Sequence, residues 1–337
     1  MKRWPLCVCL ITLFVVAFPF RSPAPLIYRP GEGWTYESAD GSSKWQRTRA
    51  KDQLDVAQEA FDKKDFDLAG RAARRVLKVW PLSDYAAQAE YLVGRCFEAK
   101  GQDEQAFNAY QQLLEKYPKA GNYDDVLNRQ FAICNRFLGG ERFLLWGYIP
   151  TFSSMDKTVE MYEKVIKNGP YSDIGAQAQM SIGTARERQM RFLNDNEPYL
   201  QAAKAYERAA DRYFDRPKVA ADALFRAGLA YEKQSKTAEY DQGTAGRAIN
   251  AFKDFMTYYP DDPRVAQGEK IIASLRTEQA HGNFQTAQFY EHNKRWKSAM
   301  IYYNEVLLGD PNSPYATASL ERIAALKELT AKSGKTP

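Results

Sequence analysis

The apolar residues of this chain recur at helical intervals. From Ala50 onward they fall three or four positions apart in two runs, and this spacing predicts two amphipathic helices. One twelve-residue spacing recurs six times along the chain. In each case a small residue or Thr is followed twelve positions later by Pro or, once, by Phe: Ala69/Pro81, Ala106/Pro118, Thr158/Pro170, Ala202/Phe214, Ala248/Pro260 and Ala299/Pro311. The pattern predicts an array of six similar helical units.

Three of the six units carry a second small residue twelve positions before the first, at Ala57, Gly94 and Ala287. This spacing is typical of tetratricopeptide repeats, in which small residues let two helices approach and Pro ends the second helix. We therefore predict an all-α fold, a superhelical tetratricopeptide-repeat solenoid of about six helix pairs. Side chains two residues beyond the repeat-ending Pro are expected to cap the next helix: Ser83, Ser172, Asp262 and Ser313.

The predicted array covers residues 44–330, with repeats at approximately 50–83, 84–120, 123–170, 173–217, 220–260 and 263–330. Residues 331–337 are predicted to be a disordered tail. Residues 25–43 are rich in Gly and Ser and predict an extended lead-in. The composition of these flanking segments sets them apart from the repeats.

The first 24 residues differ from the remainder of the chain. Lys2 and Arg3 precede an apolar run of 15 residues, Leu6–Phe20, which is typical of a secretory signal. A membrane-spanning helix needs about 20 apolar residues, so the run is short for one. We predict a signal peptide or an uncleaved N-terminal anchor over residues 1–24, with the rest of the chain exported.

Repeat three contains an aromatic insertion between its two helices, residues 139–153, for which a helix pair has no need. Its large side chains are Phe143, Leu145, Trp146 and Tyr148. The insertion either contacts a partner or a membrane surface, or it folds back over the repeats. The second interpretation is favoured because large exposed apolar patches are rare on soluble proteins.

Charge and composition argue against several classes of function. The 47 basic and 42 acidic residues give a net charge of +5 that is spread along the chain, which is too weak to indicate a nucleic-acid partner. Two His residues and the absence of metal-ligand spacing predict no metal site. No nucleophile elbow, phosphate loop or zinc helix is present, so we predict a non-enzymatic protein without a cofactor.

Binding residues follow from the repeat register. In such arrays the first helices line the concave side, and mixed aromatic and polar side chains there suit an extended peptide. The candidates are Gln58, Phe61, Tyr91, Arg95, Glu98, Phe284, Gln288 and Glu291, together with Tyr303 on a second helix. A basic stripe on the second helix of repeat one is either a solvated face or a surface for an acidic partner: Arg71, Arg74, Arg75 and Lys78.

Segments at both ends of the array resemble a known family. Thr286–Tyr290, Trp296–Val306 and Asp310–Ala316 resemble the last repeat of the outer-membrane assembly lipoprotein family called BamD or YfiO, and Ala57–Ala89 looks like its first repeat. The resemblance implies a periplasmic scaffold on the inner face of the outer membrane, peripherally associated with it. This chain has six repeats where the family typically has five, and it lacks a Cys at the lipidation position.

The resemblance also implies partners for two surfaces. Unfolded β-barrel precursors would bind around Gln58, Phe61, Tyr91, Arg95 and Glu98. The barrel-bearing assembly subunit would dock near residues 284–303. The alternative is a cell-envelope adaptor of the same repeat class that coordinates peptidoglycan or division machinery.

Overall fold

The computed structural model describes residues 26–31, 33–36, 45–119, 122–145, 149–150, 153–189, 197–237 and 242–333. Within these ranges the chain forms thirteen helices: α1 (Ala50–Asp62), α2 (Phe66–Val79), α3 (Ala86–Ala99), α4 (Asp103–Lys116), α5 (Tyr123–Leu138), α6 (Met155–Asn168), α7 (Asp173–Gln189), α8 (Glu197–Arg212), α9 (Pro217–Thr237), α10 (Gln242–Tyr258), α11 (Val265–His292), α12 (Trp296–Gly309) and α13 (Ala316–Ser333). The four short strands are β1 (Leu26–Arg29), β2 (Gly33–Tyr36), β3 (Leu144–Leu145) and β4 (Ile149–Pro150).

The helices form six consecutive pairs, from α1/α2 to α11/α12, and α13 packs on α12. In the third pair, α5/α6, Tyr162 contacts Phe131 and Asn135. The prediction of an all-α fold with about six tetratricopeptide helix pairs is confirmed. The chain divides into two compact units. The first contains the described residues up to Val126 together with Leu144–Ile149, and the second contains Leu127–Phe143 and the residues from Pro150 onward.

A large aromatic ring fills the seam of most helix pairs, and a small residue lies beneath it. Tyr110 and Tyr206 are completely buried. A Cβ atom added to Gly94 would lie 2.4 Å from Tyr110, and one added to Gly183 would lie 2.3 Å from Tyr206. The helices of these pairs therefore approach closely only because glycine leaves room for the ring.

The tyrosine hydroxyls of the seams are bonded to the first helix of their own pair. Tyr110 donates to Glu98 at 2.8 Å, Tyr162 donates to Asn135 at 2.7 Å, and Tyr303 donates to Glu291 at 2.7 Å. A buried phenol needs such a partner, since leaving its hydroxyl unpaired costs free energy. The seam thus combines apolar packing with one hydrogen bond.

The turn within a helix pair needs one residue in the left-handed backbone region. Gly101 takes this place in repeat two with φ of 67°, whereas Lys64 and Lys294 take it in repeats one and six with φ of 62° and 56°. All three turns have the same two backbone hydrogen bonds, such as Gly101 N–H to the Glu98 carbonyl and Gln102 N–H to the Phe97 carbonyl. This arrangement is that of a Schellman-type helix end.

The expected helix caps are formed only in part. Ser172 Oγ accepts from Gly175 N–H at 2.9 Å and caps α7. Asp262 accepts from Arg264 N–H at 2.9 Å, but Arg264 precedes α11, which has no side-chain cap. The prediction is wrong for Ser83 and Ser313, whose buried Oγ atoms have no hydrogen-bond partner. Their backbone carbonyls bond to Ala86 and Ala316 instead, so the chain turns before the helix begins.

The insertion of repeat three folds back at Phe143, whereas Ile149 in the same insertion is 45% exposed. Phe143 is 3% exposed, stacks on Phe137 with ring centroids 4.2 Å apart, and lies under the Lys157 ammonium at 4.9 Å. Trp146, Tyr148 and the side chain of Leu145 lie outside the described part of the chain. The folded-back interpretation remains a prediction for them.

The predicted lead-in contains a short antiparallel hairpin, β1–β2, with Leu26 paired to Tyr36 and Arg29 to Gly33. Its Gly31 carbonyl accepts from Asp84 N–H at 2.7 Å. The predicted signal or anchor, residues 1–24, lies outside the described residues. Among the helices that the structure describes, none combines the length and the apolar character needed to cross a membrane.

Candidate functional site

The first unit presents a ladder of aromatic and charged side chains, which we call the first-helix face: Phe61, Tyr91, Arg95 and Asp125. Phe61 lies in the last turn of α1, Tyr91 and Arg95 lie one turn apart on α3, and Asp125 is in the first turn of α5. The register that places Gly94 under Tyr110 turns Tyr91 and Arg95 to this face. Three of the predicted binding residues are thus brought together.

Contacts along the first-helix face join its members in sequence. The Arg95 guanidinium lies 5.3 Å from the centre of the Phe61 ring and donates to Tyr91 Oη at 3.2 Å. Tyr91 Oη in turn donates to Asp125 Oδ2 at 2.6 Å. A cation held over an aromatic ring and bonded to a phenol is fixed in orientation, so the face is preorganised rather than assembled on binding.

The remaining candidates of the first unit flank this face. Glu98 accepts from the buried Tyr110 hydroxyl, so this carboxylate also supports the seam. Gln58 is exposed on α1, and its side chain donates to Asp62 at 2.9 Å. Aromatic surface, a guanidinium and carboxylates within one face can pack against side chains of an extended peptide and bond to its backbone.

The C-terminal candidates are placed differently. Tyr303 is 1% exposed and packs edge-to-face on Phe284 with centroids 5.6 Å apart, so it belongs to the core and not to a partner surface. Burial raises the pKa of Tyr303, which keeps its hydroxyl a hydrogen-bond donor at neutral pH. Glu291 accepts from Tyr303 and also pairs with Arg322 of α13. Of this set, Gln288 alone is well exposed.

Apolar surface near these residues lies on neighbouring positions that the repeat register did not single out. Phe289 is 63% exposed, Ile301 is 60% exposed and Leu308 is 70% exposed. Phe289 lies on α11, whereas the other two lie on α12. Hydrophobicity outside the seam positions is the sequence signal that could have identified them.

The first helices of repeats three to five form a second groove, with a volume of about 480 Å³. Phe131, Met180, Thr184, Asp222 and Arg226 line it. Met180 and Thr184 flank Gly183 as Tyr91 and Arg95 flank Gly94, so the register could have predicted them. Sequence reasoning missed this groove because the insertions in repeats three and four interrupt the twelve-residue spacing.

A metal-ligand cluster or either of the two described cysteines would be a possible site of chemistry. In the part of the chain that the structure describes, no three His, Cys, Asp or Glu side chains cluster in a way that could hold a metal ion. Cys96 and Cys134 are buried free thiols. Burial raises the pKa of the Cys96 thiol to about 11, so it is protonated and unreactive at neutral pH.

Helix pairs with this seam define a tetratricopeptide-repeat protein, and a tetratricopeptide-repeat model matches residues 88–120, which span α3 and α4. The family model described as YfiO, outer membrane lipoprotein, matches residues 153–333, more than half of the chain. The protein belongs to this family. The scaffold class follows from the repeats and the family together.

Solved structures similar to this chain are also repeat proteins. A TPR-repeat protein from Bacteroides fragilis is 13% identical, with coverage of 84% of this chain and 100% of its own and a TM-score of 0.39. The C-terminal part of a TPR repeat-containing protein from Cytophaga hutchinsonii is 14% identical, with coverages of 81% and 88% and a TM-score of 0.35. A comparison with curated proteins gives no significant match.

Proposed function

We propose that this protein is a non-enzymatic scaffold of outer-membrane β-barrel assembly, exported to the periplasm and held at the inner face of the outer membrane. The observation that carries the proposal is the YfiO family match over residues 153–333. The N-terminal segment, typical of a secretory signal, supports export. No metal, cofactor or nucleic acid is needed for such a role.

Unfolded barrel precursors are the proposed ligand of the first-helix face. Precursor strands are extended peptides with alternating aromatic and polar side chains, which require both ring contacts and hydrogen bonds. Phe61 and Tyr91 supply ring surface, and Arg95 and Asp125 supply opposite charges beside it. Glu98 and Gln58 extend the polar edge of the face.

The barrel-bearing assembly subunit is the proposed partner of the C-terminal repeat. Gln288 and the exposed Phe289 of α11, together with Ile301 of α12, offer apolar surface with a polar edge, which is the usual composition of a docking site. Phe284, Glu291 and Tyr303 contribute by fixing α11 against α12 and α13 rather than by direct contact. The proposed docking surface thus stays in the C-terminal repeat, with Gln288, Phe289 and Ile301 as its contact residues.

A photocrosslinking experiment tests both surfaces. A photoreactive amino acid is placed at Gln58, at Gln288 or, as a control, at Lys164, which is exposed on α6. Crosslinking is carried out in the native envelope, and captured proteins are identified by mass spectrometry. We expect nascent barrel proteins at Gln58, one large barrel subunit at Gln288, and neither at Lys164.

The alternative function gives a different result in the same experiment. A cell-envelope adaptor for peptidoglycan or division machinery would capture soluble periplasmic proteins at both sites, and its depletion would leave outer-membrane barrels unchanged. That outcome would reject the assembly role. An Arg95→Ala variant sharpens the test, since loss of the cation between two rings should reduce precursor capture at Gln58 severalfold without altering the helical circular dichroism.

A further inference from the structure

The first unit also has a groove between the second helices of its repeats, whereas the first-helix face lies on the first helices. The groove runs between α2 and α4, the second helices of repeats one and two, with α3 as its floor, and we call it the α2–α4 groove. Its volume of about 520 Å³ is large enough for several side chains of a partner. The proposed function makes no use of it.

Three cations line the α2–α4 groove: Arg74 and Lys78 from α2 and Lys116 from α4. Arg74 lies 5.8 Å from the centre of the Phe97 ring, and Lys116 donates to the amide of Gln112. In the part of the chain that the structure describes, Arg74 and Lys78 form no salt bridge. Two members of the basic stripe found in the sequence therefore have their charge available for a ligand.

The floor of the groove is apolar apart from one carboxyl group. Val93 and Phe97 of α3 supply carbon surface, and Leu77 of α2 extends it onto one wall. Glu90 is 5% exposed, and burial raises its pKa while Lys116 opposes the increase. The lining therefore carries three cations against at most one anion, so its electrostatic preference is for a negatively charged ligand.

A related groove of about 340 Å³ lies in the second unit, between α6 and α8, with Glu163 among its lining residues. Lys167 stands five residues after Tyr162, as Lys78 stands five after Ala73, and Arg212 stands six after Tyr206, as Lys116 stands six after Tyr110. Both cations line that groove together with Ile166 and Ile182. A pair of cations over an apolar floor is therefore placed by the repeat register in two separate units.

The two grooves differ at Glu90 and at two further positions, where Glu163 replaces Arg74 and Arg208 replaces Gln112. The counterpart of Glu90 four residues before the seam glycine is Gln179, whose amide donates to the Ala205 carbonyl at 3.2 Å. A neutral amide thus serves in one groove where a carboxyl group stands in the other. Glu90 is therefore not required for the shape of the groove, and its charge can be tested separately.

We propose that the α2–α4 groove binds an acidic segment of a partner protein, with a carboxylate between Lys78 and Lys116 and a neighbouring apolar side chain on the floor at Val93 and Phe97. A protein segment fits better than a lipid headgroup because Leu77, Val93 and Phe97 give the groove a carbon surface recessed between two helices. Charge complementarity supplies attraction, and the floor supplies desolvated contact area.

This inference rests on the scaffold class and not on the assembly role. The groove residues precede residue 153, where the YfiO family match begins. None of the groove residues belongs to the first-helix face. Failure of the assembly proposal would therefore leave the groove untouched, and failure of the groove would leave the assembly proposal untouched.

Fluorescence anisotropy with the full chain tests the groove. The probe is a labelled synthetic peptide in which Glu and Asp flank a central Leu-Phe pair. We expect Lys78→Glu to weaken its binding by about tenfold or more, because a like charge then faces the carboxylate. Lys51→Glu makes the same change of charge on the exposed surface of α1 and should leave binding nearly unchanged.

Two further measurements fix the occupant. Glu90→Gln should leave affinity for the acidic peptide unchanged or increase it, whereas a groove for a basic ligand would lose affinity. A peptide with Lys in place of the acidic residues and one with Ser in place of Leu-Phe should both bind at least about tenfold more weakly. Equal effects of Lys78→Glu and Lys51→Glu, or binding to phosphatidylglycerol vesicles without binding to the peptide, would overturn the proposal.

Discussion

Repeats two and six use the same seam but present different surfaces. In each, a buried tyrosine of the second helix donates to a glutamate of the first helix twelve residues earlier: Tyr110 to Glu98, and Tyr303 to Glu291. The small residue beneath the ring is Gly94 in repeat two and Ala287 in repeat six. A Cβ is therefore tolerated in one seam, whereas in the other it would collide with the ring.

The aromatic residue three positions before the small residue shows the larger difference. Tyr91 of repeat two bonds through its hydroxyl to Asp125 and supports Arg95 at a partly exposed face. Phe284 of repeat six has no hydroxyl and packs on Tyr315, which directly precedes α13. The same register position therefore becomes part of a binding face in one repeat and part of a covered core in the other.

A repeat determines the contacts within its own helix pair, whereas its neighbour determines which side chains of the first helix stay exposed. Contacts between the two helices of one pair depend on residues at fixed spacing, and these define the seam. The exposure of the first helix depends on the helix that follows the pair. This helix is α5 with Asp125 after repeat two, and α13 with Arg322 after repeat six. At the last repeat, the positions of the first helix that stay exposed are therefore set by α13 and not by the register.

The largest predicted effect comes from changing Gly94, the residue that distinguishes the repeat-two seam from the repeat-six seam. Gly94→Ala places a Cβ 2.4 Å from a ring carbon of Tyr110, and neither the buried ring nor α3 has space to move. We expect a loss of about 2–3 kcal/mol in the free energy of unfolding. Urea denaturation followed by circular dichroism measures the loss, and hydrogen exchange should locate it in α3 and α4.

Gly70→Ala is the matched control in the same unit. Gly70 also lies within a helix and is buried, but an added Cβ would meet only the Arg74 side chain at 3.5 Å, an ordinary contact. This substitution should stabilise the protein by about 0.5–1 kcal/mol through helix propensity. If both variants were equally stable, close approach at Gly94 would not define the repeat-two seam.

A smaller effect is expected from the hydroxyl that both seams share. Tyr303→Phe leaves the ring in place but removes the donor to Glu291, whose side chain is 15% exposed, so it should cost about 1–2 kcal/mol. Tyr302→Phe alters the neighbouring residue, whose ring stacks on Tyr290, and should change stability little. Thermal unfolding of both variants measures the contrast, and equal melting temperatures would contradict the role of the hydrogen bond.

The sequence was sufficient for the repeats because spacing and side-chain size determine the contacts within a pair. The six helix pairs and the cluster of Phe61, Tyr91 and Arg95 follow from that register. Tyr303 was misplaced because its position on the second helix belongs to the seam of its own pair. Exposed residues such as Ile301 lie outside the seam register, so their hydrophobicity was the sequence signal, and the packing of the neighbouring helices shows that they are exposed.

The α2–α4 groove shows a second limit of sequence reading. The basic stripe on α2 was visible, but its interpretation depended on what faces it across the surface. Lys116 lies 38 residues after Lys78 and lines the same groove only because α2 and α4 both pack on α3. A stripe that resembles an ordinary solvated face thereby becomes one wall of a groove.

The turns provide the smallest and most direct test of the comparison between repeats. Lys64 holds a left-handed backbone that repeat two assigns to Gly101, with equivalent hydrogen bonds in both turns. Because a side chain disfavours this conformation by about 1 kcal/mol, Lys64→Gly should raise the free energy of unfolding by about 0.5–1 kcal/mol, partly offset by the greater entropy of glycine in the unfolded chain. The reverse change, Gly101→Lys, should lower it by a similar amount, as measured by urea denaturation. If Lys64→Gly were destabilising, the lysine side chain would contribute contacts that outweigh its backbone strain, and the turns of repeats one and two would differ in more than their sequence.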